Sequence, residues 1–475
     1  GNTTVTMNGY ALSPSMKVQG ASANGNTVTV KPGETAKVTV TLTLGSADKA
    51  YLEKSFKYGM YVEGFITLKT KTAATVDMNV PFLGYYGDWT EAPVFDEEYY
   101  DTDKDELNKV DLKDRTMADA YATRVIGGLY SDYIATLGAY YFRQDPRDTP
   151  VPANKEHIAI SNQVAADNKS NWTISRVKTV YAGLLRNAKK VRITATEDAT
   201  GREVYSKEIN NQYKSYNNGG SIRPSAMDVE FSALELNLKN NTRYNFVVEA
   251  YIDYGTEEEQ DKAQYREDEK KSYNRFEFPV YVDFEAPVVS DVQFRTQIDS
   301  STKKRRLYAD LYVYDNHSAM ALQVGEIVEA AANSTYAFAM ESFGSYLEPV
   351  YSSYNSTTKV EIELTDYIDK IKNSRSINPS GGSNTIANSF VATCYDYAMN
   401  AATYEIKIPD EVLGVYFDKA EQYYSPNQKV KVTDLVKIYP TSTWTEVLDY
   451  KFELFDYADA DSTTLVSQGE GTDYV

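Results

Sequence analysis

Residues Ala36-Lys37-Val38-Thr39-Val40-Thr41-Leu42-Thr43-Leu44 alternate apolar and polar side chains over nine positions. A period of two sends every second side chain to one face, which suits a half-buried strand and not a helix. A similar rhythm runs through Tyr61–Leu68, and Val191–Thr196, Thr242–Tyr251 and Leu307–Asn316 read as further strands. The 41 tyrosines, set among many Thr and Val, strengthen this bias because such side chains favour pleated, half-buried surfaces. Met117–Ala122 is weakly helical and too short to stand alone. The chain reads as all-β.

At 475 residues it exceeds one hydrophobic core and calls for roughly three to four domains. Lys31-Pro32-Gly33-Glu34-Thr35 reads as a tight turn, with Pro and Gly placed for a reversal. Asp96–Glu106 is an acidic connector, and Val282-Asp283-Phe284-Glu285-Ala286-Pro287 is a joint in which Pro287 holds its predecessor extended. Ile408-Pro409-Asp410 opens a last, short unit. The expected units are residues 1–95, 96–283 (enlarged by insertions), 284–409 and 410–475. Glu257–Lys271 reads as a charged hairpin tip, and Lys303-Lys304-Arg305-Arg306 as a turn guarded by charge.

The balance of 49 basic against 68 acidic residues, a net charge of −19, argues against a nucleic-acid partner. The single cysteine, Cys394, excludes an internal disulfide framework. No apolar run approaches the ~18 residues of a membrane span. Residue 1 is glycine, and the chain is read as a piece of a longer protein.

Two stretches carry a family resemblance. Tyr61-Val62-Glu63-Gly64-Phe65-Ile66-Thr67-Leu68 is followed by Val80-Pro81-Phe82-Leu83-Gly84-Tyr85-Tyr86-Gly87-Asp88-Trp89-Thr90-Glu91-Ala92-Pro93-Val94-Phe95-Asp96. Together they resemble the first fibronectin-III-like domain after the catalytic domain of cell-envelope subtilisin-like serine proteases, the group of C5a peptidase and lactocepin. Leu184–Val204 is similar to the second such domain. Cys394-Tyr395-Asp396-Tyr397-Ala398-Met399-Asn400 resembles a strand end of bacterial sandwich repeats, with Met399 where glycine is usual. Tyr424–Pro440 loosely resembles a bacterial immunoglobulin-like domain. The resemblance implies tandem fibronectin-III/immunoglobulin-like β-sandwich domains with short helical insertions. It also implies a secreted, cell-wall location in a Gram-positive bacterium and an absent N-terminal subtilisin-like catalytic domain as partner.

A subtilisin-type site needs a Ser nucleophile, a His base and an Asp that orients the base. The two histidines, His157 and His317, lie outside the family's settings, and no matching serine segment occurs. No catalytic residue and no organic cofactor is therefore expected; His157 reads as a strand-edge residue and His317 as a loop residue. Calcium is the inorganic candidate. Asp101, Asp103 and Asp105 alternate as an oxygen cage requires, although Glu106 and Leu112 stand where an EF-hand needs Gly and Glu. Asp315 and Asp396, near strand ends, form a second candidate pair across a sandwich tip. Solvated surface carboxylates are the ordinary reading of both groups.

Gly84, Gly87, Trp89, Pro93 and Pro287 read as a structural joint, the glycines permitting positive φ where the chain leaves a sheet and Trp89 burying its ring between units. The expected function is a non-catalytic accessory region that braces and spaces a protease and aids recognition of protein substrates. The competing expectation is a free-standing adhesin or glycan-binding surface protein, with tyrosines as a stacking platform.

Overall fold

A computed structural model describes residues 9–71, 76–96, 98–100, 122–129, 134–142, 151–162, 173–218, 221–223, 225–268, 270–298, 300–301, 305–329, 334–337, 348–350, 352–368, 370–371, 385–409, 415–417, 436–438, 451–455 and 465–470. Strands dominate, arranged as tandem all-β domains.

In the first unit β1 (Ser15–Gln19) pairs with β2 (Thr39–Thr43), and helix α1 (Ser46–Ser55) leads to a hairpin of β3 (Met60–Leu68) and β4 (Met78–Tyr86). The Pro32-Gly33 turn forms as read: the Glu34 N–H donates to the Lys31 carbonyl at 3.0 Å, and Gly33 takes φ 78°. Gly84 is a correction. β4 runs on through Tyr86, so Gly84 sits inside the strand opposite Val62. The chain leaves the sheet at Gly87, whose φ is 127° and where a Cβ would come 2.8 Å from the Gly59 Cα.

The second unit is a sandwich. One sheet holds β5 (Arg124–Leu129), β6 (Ile134–Thr136), β8 (Ile174–Ala182) and β11 (Ser225–Ser232) in the order β11-β8-β5-β6. The other holds β7 (Ala159–Ile160), β9 (Ala188–Glu197), β10 (Glu203–Gln212), β12 (Thr242–Tyr251) and β13 (Arg275–Val282) in the order β10-β9-β12-β13-β7. Inward residues alternate along these strands: Ala188, Val191, Ile193 and Ala195 on β9 meet Met227, Val229 and Phe231 on β11 in one core.

Glu257–Lys271 is a second correction in its first half, which forms helix α2 (Glu257–Gln264); beyond the helix, Tyr265–Arg266 pairs with Lys271–Ser272 as a hairpin. The reason is a capping box: Thr256 Oγ1 accepts from the Glu259 N–H at 3.2 Å, and the Glu259 carboxylate accepts from the Thr256 N–H at 2.8 Å.

The third unit pairs β14 (Val288–Ile298), β15 (Arg305–Asp315) and β19 (Ser356–Glu363) in one sheet. Its second sheet runs β17 (Ser334–Ala337), β16 (Ala319–Glu329), β20 (Thr385–Asp396), β21 (Ala401–Lys407), with β18 (Glu348–Pro349) also on β16. Leu311 and Val313 pack against Phe390, Ala392 and Cys394 between the sheets. Burial pushes the Cys394 thiol up to about 12, which leaves it inert as a nucleophile. Beyond residue 409, Val415–Phe417 pairs with Val436–Ile438, and Lys451–Phe455 with Leu465–Glu470. Among the described residues no helix is long and apolar enough to cross a membrane.

The two sandwiches are not separately packed beads. Met320, Ala321, Tyr397, Ala398 and Met399 of the third unit belong to the same apolar cluster as Ile158, Phe278 and Val282 of the second. Burying a side chain of Met or Tyr size stabilises by about 1.5–3 kcal/mol. Three of these five are that large, so the junction rivals the roughly 5–15 kcal/mol that holds a whole domain folded.

Candidate metal centre

The joint 282–287 ends β13 and hands the chain to β14, and this places Asp283 where the tips of β15 and β20 arrive. Asp315 closes β15, and Asp396 closes β20. One carboxylate oxygen from each of Asp283, Asp315 and Asp396 lies within 4.8 Å of the other two. All three residues are at most 1% exposed.

Backbone and amide donors fix their orientation. Asp283 Oδ1 accepts from the Glu285 N–H at 3.0 Å and from Asn316 Nδ2 at 2.8 Å. Asp315 Oδ1 accepts from the His317 N–H at 2.9 Å. Asn400 grips Asp396 twice, its N–H donating to Oδ1 at 2.8 Å and its Nδ2 to Oδ2 at 2.7 Å. The same Nδ2 reaches the Asp283 carbonyl at 3.0 Å, and Asn400 Oδ1 accepts from Ser161 Oγ at 2.8 Å. Asn400 thus ties both sandwiches to the cluster. Two oxygens, Asp283 Oδ2 and Asp315 Oδ2, are buried without a hydrogen-bond partner.

The electrostatics follow from this crowding. Two unit charges this close repel by about 3.5 kcal/mol or more at an effective dielectric of about 20. Desolvation first, and the neighbouring carboxylates second, raise the Asp315 carboxyl to about 7 and lift Asp396 well above the carboxylate range. Asp283 is raised by burial as well. Among the described residues no lysine or arginine pairs with any of the three. Such a cluster needs either protons or a cation to neutralise it.

Sequence reasoning singled out Asp315 and Asp396 and assigned Asp283 only to a joint. The missing signal was that a joint aspartate 32 and 113 positions away shares their strand-tip layer. Asp101, Asp103 and Asp105 lie outside the described residues, as do Met117–Tyr121 of the short helical stretch.

Both histidines sit at this junction. His157, in a short 3-10 turn (Lys155–His157), stacks on Tyr397 with ring centroids 4.2 Å apart. His317 stacks on Tyr281 at 4.0 Å, and its Nε2 lies 2.9 Å from the Glu156 carbonyl. Each histidine therefore contacts the other sandwich. Among the described residues neither is hydrogen-bonded to a hydroxyl, thiol or carboxylate side chain. His317 is only 2% exposed, more enclosed than an ordinary loop residue.

Met399 takes φ 63°, the left-handed region where the sandwich-repeat pattern has glycine, yet its side chain is 8% exposed inside the shared core. Packing outweighs strain here. Met399→Ala keeps the strain and loses the packing, costing about 3 kcal/mol. Met399→Gly loses the same side chain but relieves about 1 kcal/mol of left-handed backbone. Urea denaturation should rank Met above Gly above Ala; Ala above Gly would show that the backbone term is absent.

Residues 1–83 match the family model of an Fn3-like domain. That stretch is an Fn3-like domain. Over 81 residues the chain is 33% identical to the PI-type proteinase of Lactococcus lactis subsp. cremoris, the PIII-type proteinase of its strain SK11 and the PII-type proteinase of Lacticaseibacillus paracasei. The alignment covers 17% of this chain and 4% of each proteinase.

The first unit meets the second sandwich through Trp89. Tyr61 and Tyr85 make T-shaped contacts with the half-buried indole at 5.8 and 4.8 Å, and the Arg186 guanidinium covers it at 4.5 Å. Arg186 also donates to the Trp89 and Ala92 carbonyls at 2.8 and 3.0 Å, fixing the segment that leads through half-buried Pro93. Pro287 is buried at the later joint, where its carbonyl accepts from Tyr404 Oη at 3.0 Å.

Proposed function

We propose that this chain is a non-catalytic accessory region of a secreted, cell-wall-associated subtilisin-like serine endopeptidase, holding the protease at a fixed distance and bracing it. The observation that carries the reading is the apolar cluster running without a break from the second sandwich into the third. A shared core makes adjoining domains move as one body, which is what a brace requires and a flexible tether does not. The likeness of the Fn3-like domain to the lactococcal proteinases supplies the parent enzyme in this reading. The hairpin of that domain leaves Phe65 71% and Leu83 66% exposed, apolar surface of the kind a neighbouring domain covers. Among the described residues the histidines are committed to stacking, in keeping with a region that does no chemistry.

The test compares the full-length parent protein with a version lacking residues 1–409, removed together because the two sandwiches share a core. Activity is read on a folded protein substrate and on a short peptide. Bracing predicts comparable loss on both. Loss confined to the protein substrate would assign the region to substrate recognition, and unchanged activity on both would remove the accessory reading.

A further inference from the structure

We propose that Asp283, Asp315 and Asp396 together bind one calcium ion at the junction of the second and third sandwiches. Three oxygens no more than 4.8 Å apart fit around one centre at about 2.8 Å or less, close to calcium–oxygen bonds of about 2.3–2.6 Å. Small adjustments of the carboxylates close that gap. Magnesium wants about 2.0–2.1 Å and near-ideal octahedral geometry, a tighter fit than this spacing offers. The donor set is all hard oxygen, which disfavours zinc and copper.

The second line of support is independent of the acidic count. Asp283 Oδ2 and Asp315 Oδ2 are buried and have no hydrogen-bond partner. The hydrogen bonds from Glu285, Asn316 and His317 arrive at the Oδ1 atoms, and Oδ2 stays open to a cation. Asp396 accepts one hydrogen bond at each oxygen and keeps a lone pair at each for coordination. Hydrogen bonds that hold one oxygen of a carboxylate while the other stays open are what orients a ligand around a metal.

The placement gives the ion a structural consequence. Asp283 directly follows the last strand of one sandwich, whereas Asp315 and Asp396 end strands of the next. A cation held by all three joins the units by charge just beside the apolar core that joins them by packing. This assignment needs only the junction and stands whether or not the chain serves a protease.

The experiment uses the chain as it is, stripped of metal with a chelator and titrated with calcium by calorimetry. One ion per chain is expected, and calcium at 100 times its dissociation constant should raise the thermal midpoint by about 5–10 °C. Asp315→Asn should weaken binding about 100-fold, and the triple variant Asp283→Asn/Asp315→Asn/Asp396→Asn should abolish it while circular dichroism reports an intact β fold. The triple variant loses the mutual repulsion, so it is expected to fold; Asp291→Asn, on an exposed strand position, serves as the unaffected control. Absence of calcium binding by the unmodified chain, or binding that survives in the triple variant, would overturn the site. Equal affinity for magnesium would overturn its assignment to calcium.

Discussion

Replacing Tyr397 with alanine is expected to make the second and third sandwiches unfold as two separate units. Tyr397 is 2% exposed, stacks on His157 across the junction and meets Tyr141 in a T-shaped contact at 6.5 Å. Removing a buried aromatic costs about 3–5 kcal/mol through lost transfer energy and the cavity left behind. At most positions that penalty would be spread over one domain. Here it falls on the contact between two, so cooperativity should suffer more than the core of either sandwich. Urea unfolding followed by tryptophan fluorescence and by backbone dichroism should coincide for the unmodified pair and separate in Tyr397→Ala. Coincident curves in the variant would mean that Tyr397 does not couple the units.

The second large effect is a response to acid. Burial lowers the His157 imidazole to about 4 from an ordinary value near 6.5. Its folded value lies below its unfolded one, so the unfolded chain binds more protons between those two values. Stability from the neutral ring is therefore complete above about pH 6.5 and is lost as pH falls toward 4, by about 3 kcal/mol. The raised Asp315 acts in the opposite sense, favouring the folded state in acid when no cation is present. Comparison with His157→Phe in chelator removes that term, because the aspartates are common to both proteins. The variant keeps an aromatic ring on Tyr397 and should gain about 3 kcal/mol on the unmodified chain between pH 7 and pH 4. A pH-independent difference would show that the imidazole is hydrated in the folded state.

Much of this architecture is legible in side-chain alternation. Thr242–Tyr251 reads as a strand and forms one over those same residues, and Leu307–Asn316 differs from β15 by two residues at its start and one at its end. Local chemistry that competes with alternation was harder to see. The Thr256/Glu259 capping box turns a charged stretch into a helix, although its first-turn glutamates look like hairpin-tip charge in the sequence. Gly84 looked like an exit from the sheet because it stands near a cluster of turn-forming residues, yet its register with Val62 keeps it extended.

The aspartate cluster shows why sites are less legible than strands. Each aspartate belongs to a recognisable motif, a joint in one case and strand tips in the others. Nothing local says that the three motifs converge, since only the packing of one sandwich on the next brings residues 283, 315 and 396 together. Burial was equally hidden. His317 stands between polar residues in the chain and His157 between Glu156 and Ile158, and their enclosure comes from tyrosines contributed by the other sandwich.

The central claim is that two sandwiches behave as one rigid body, and native-state hydrogen exchange tests it without any substitution. Amides of β12 in the second unit and β20 in the third should lose protection together, at one denaturant midpoint and with one opening free energy. Protection that fails in one strand while the other stays closed would show independent domains on a tether, and the bracing account would fall with it.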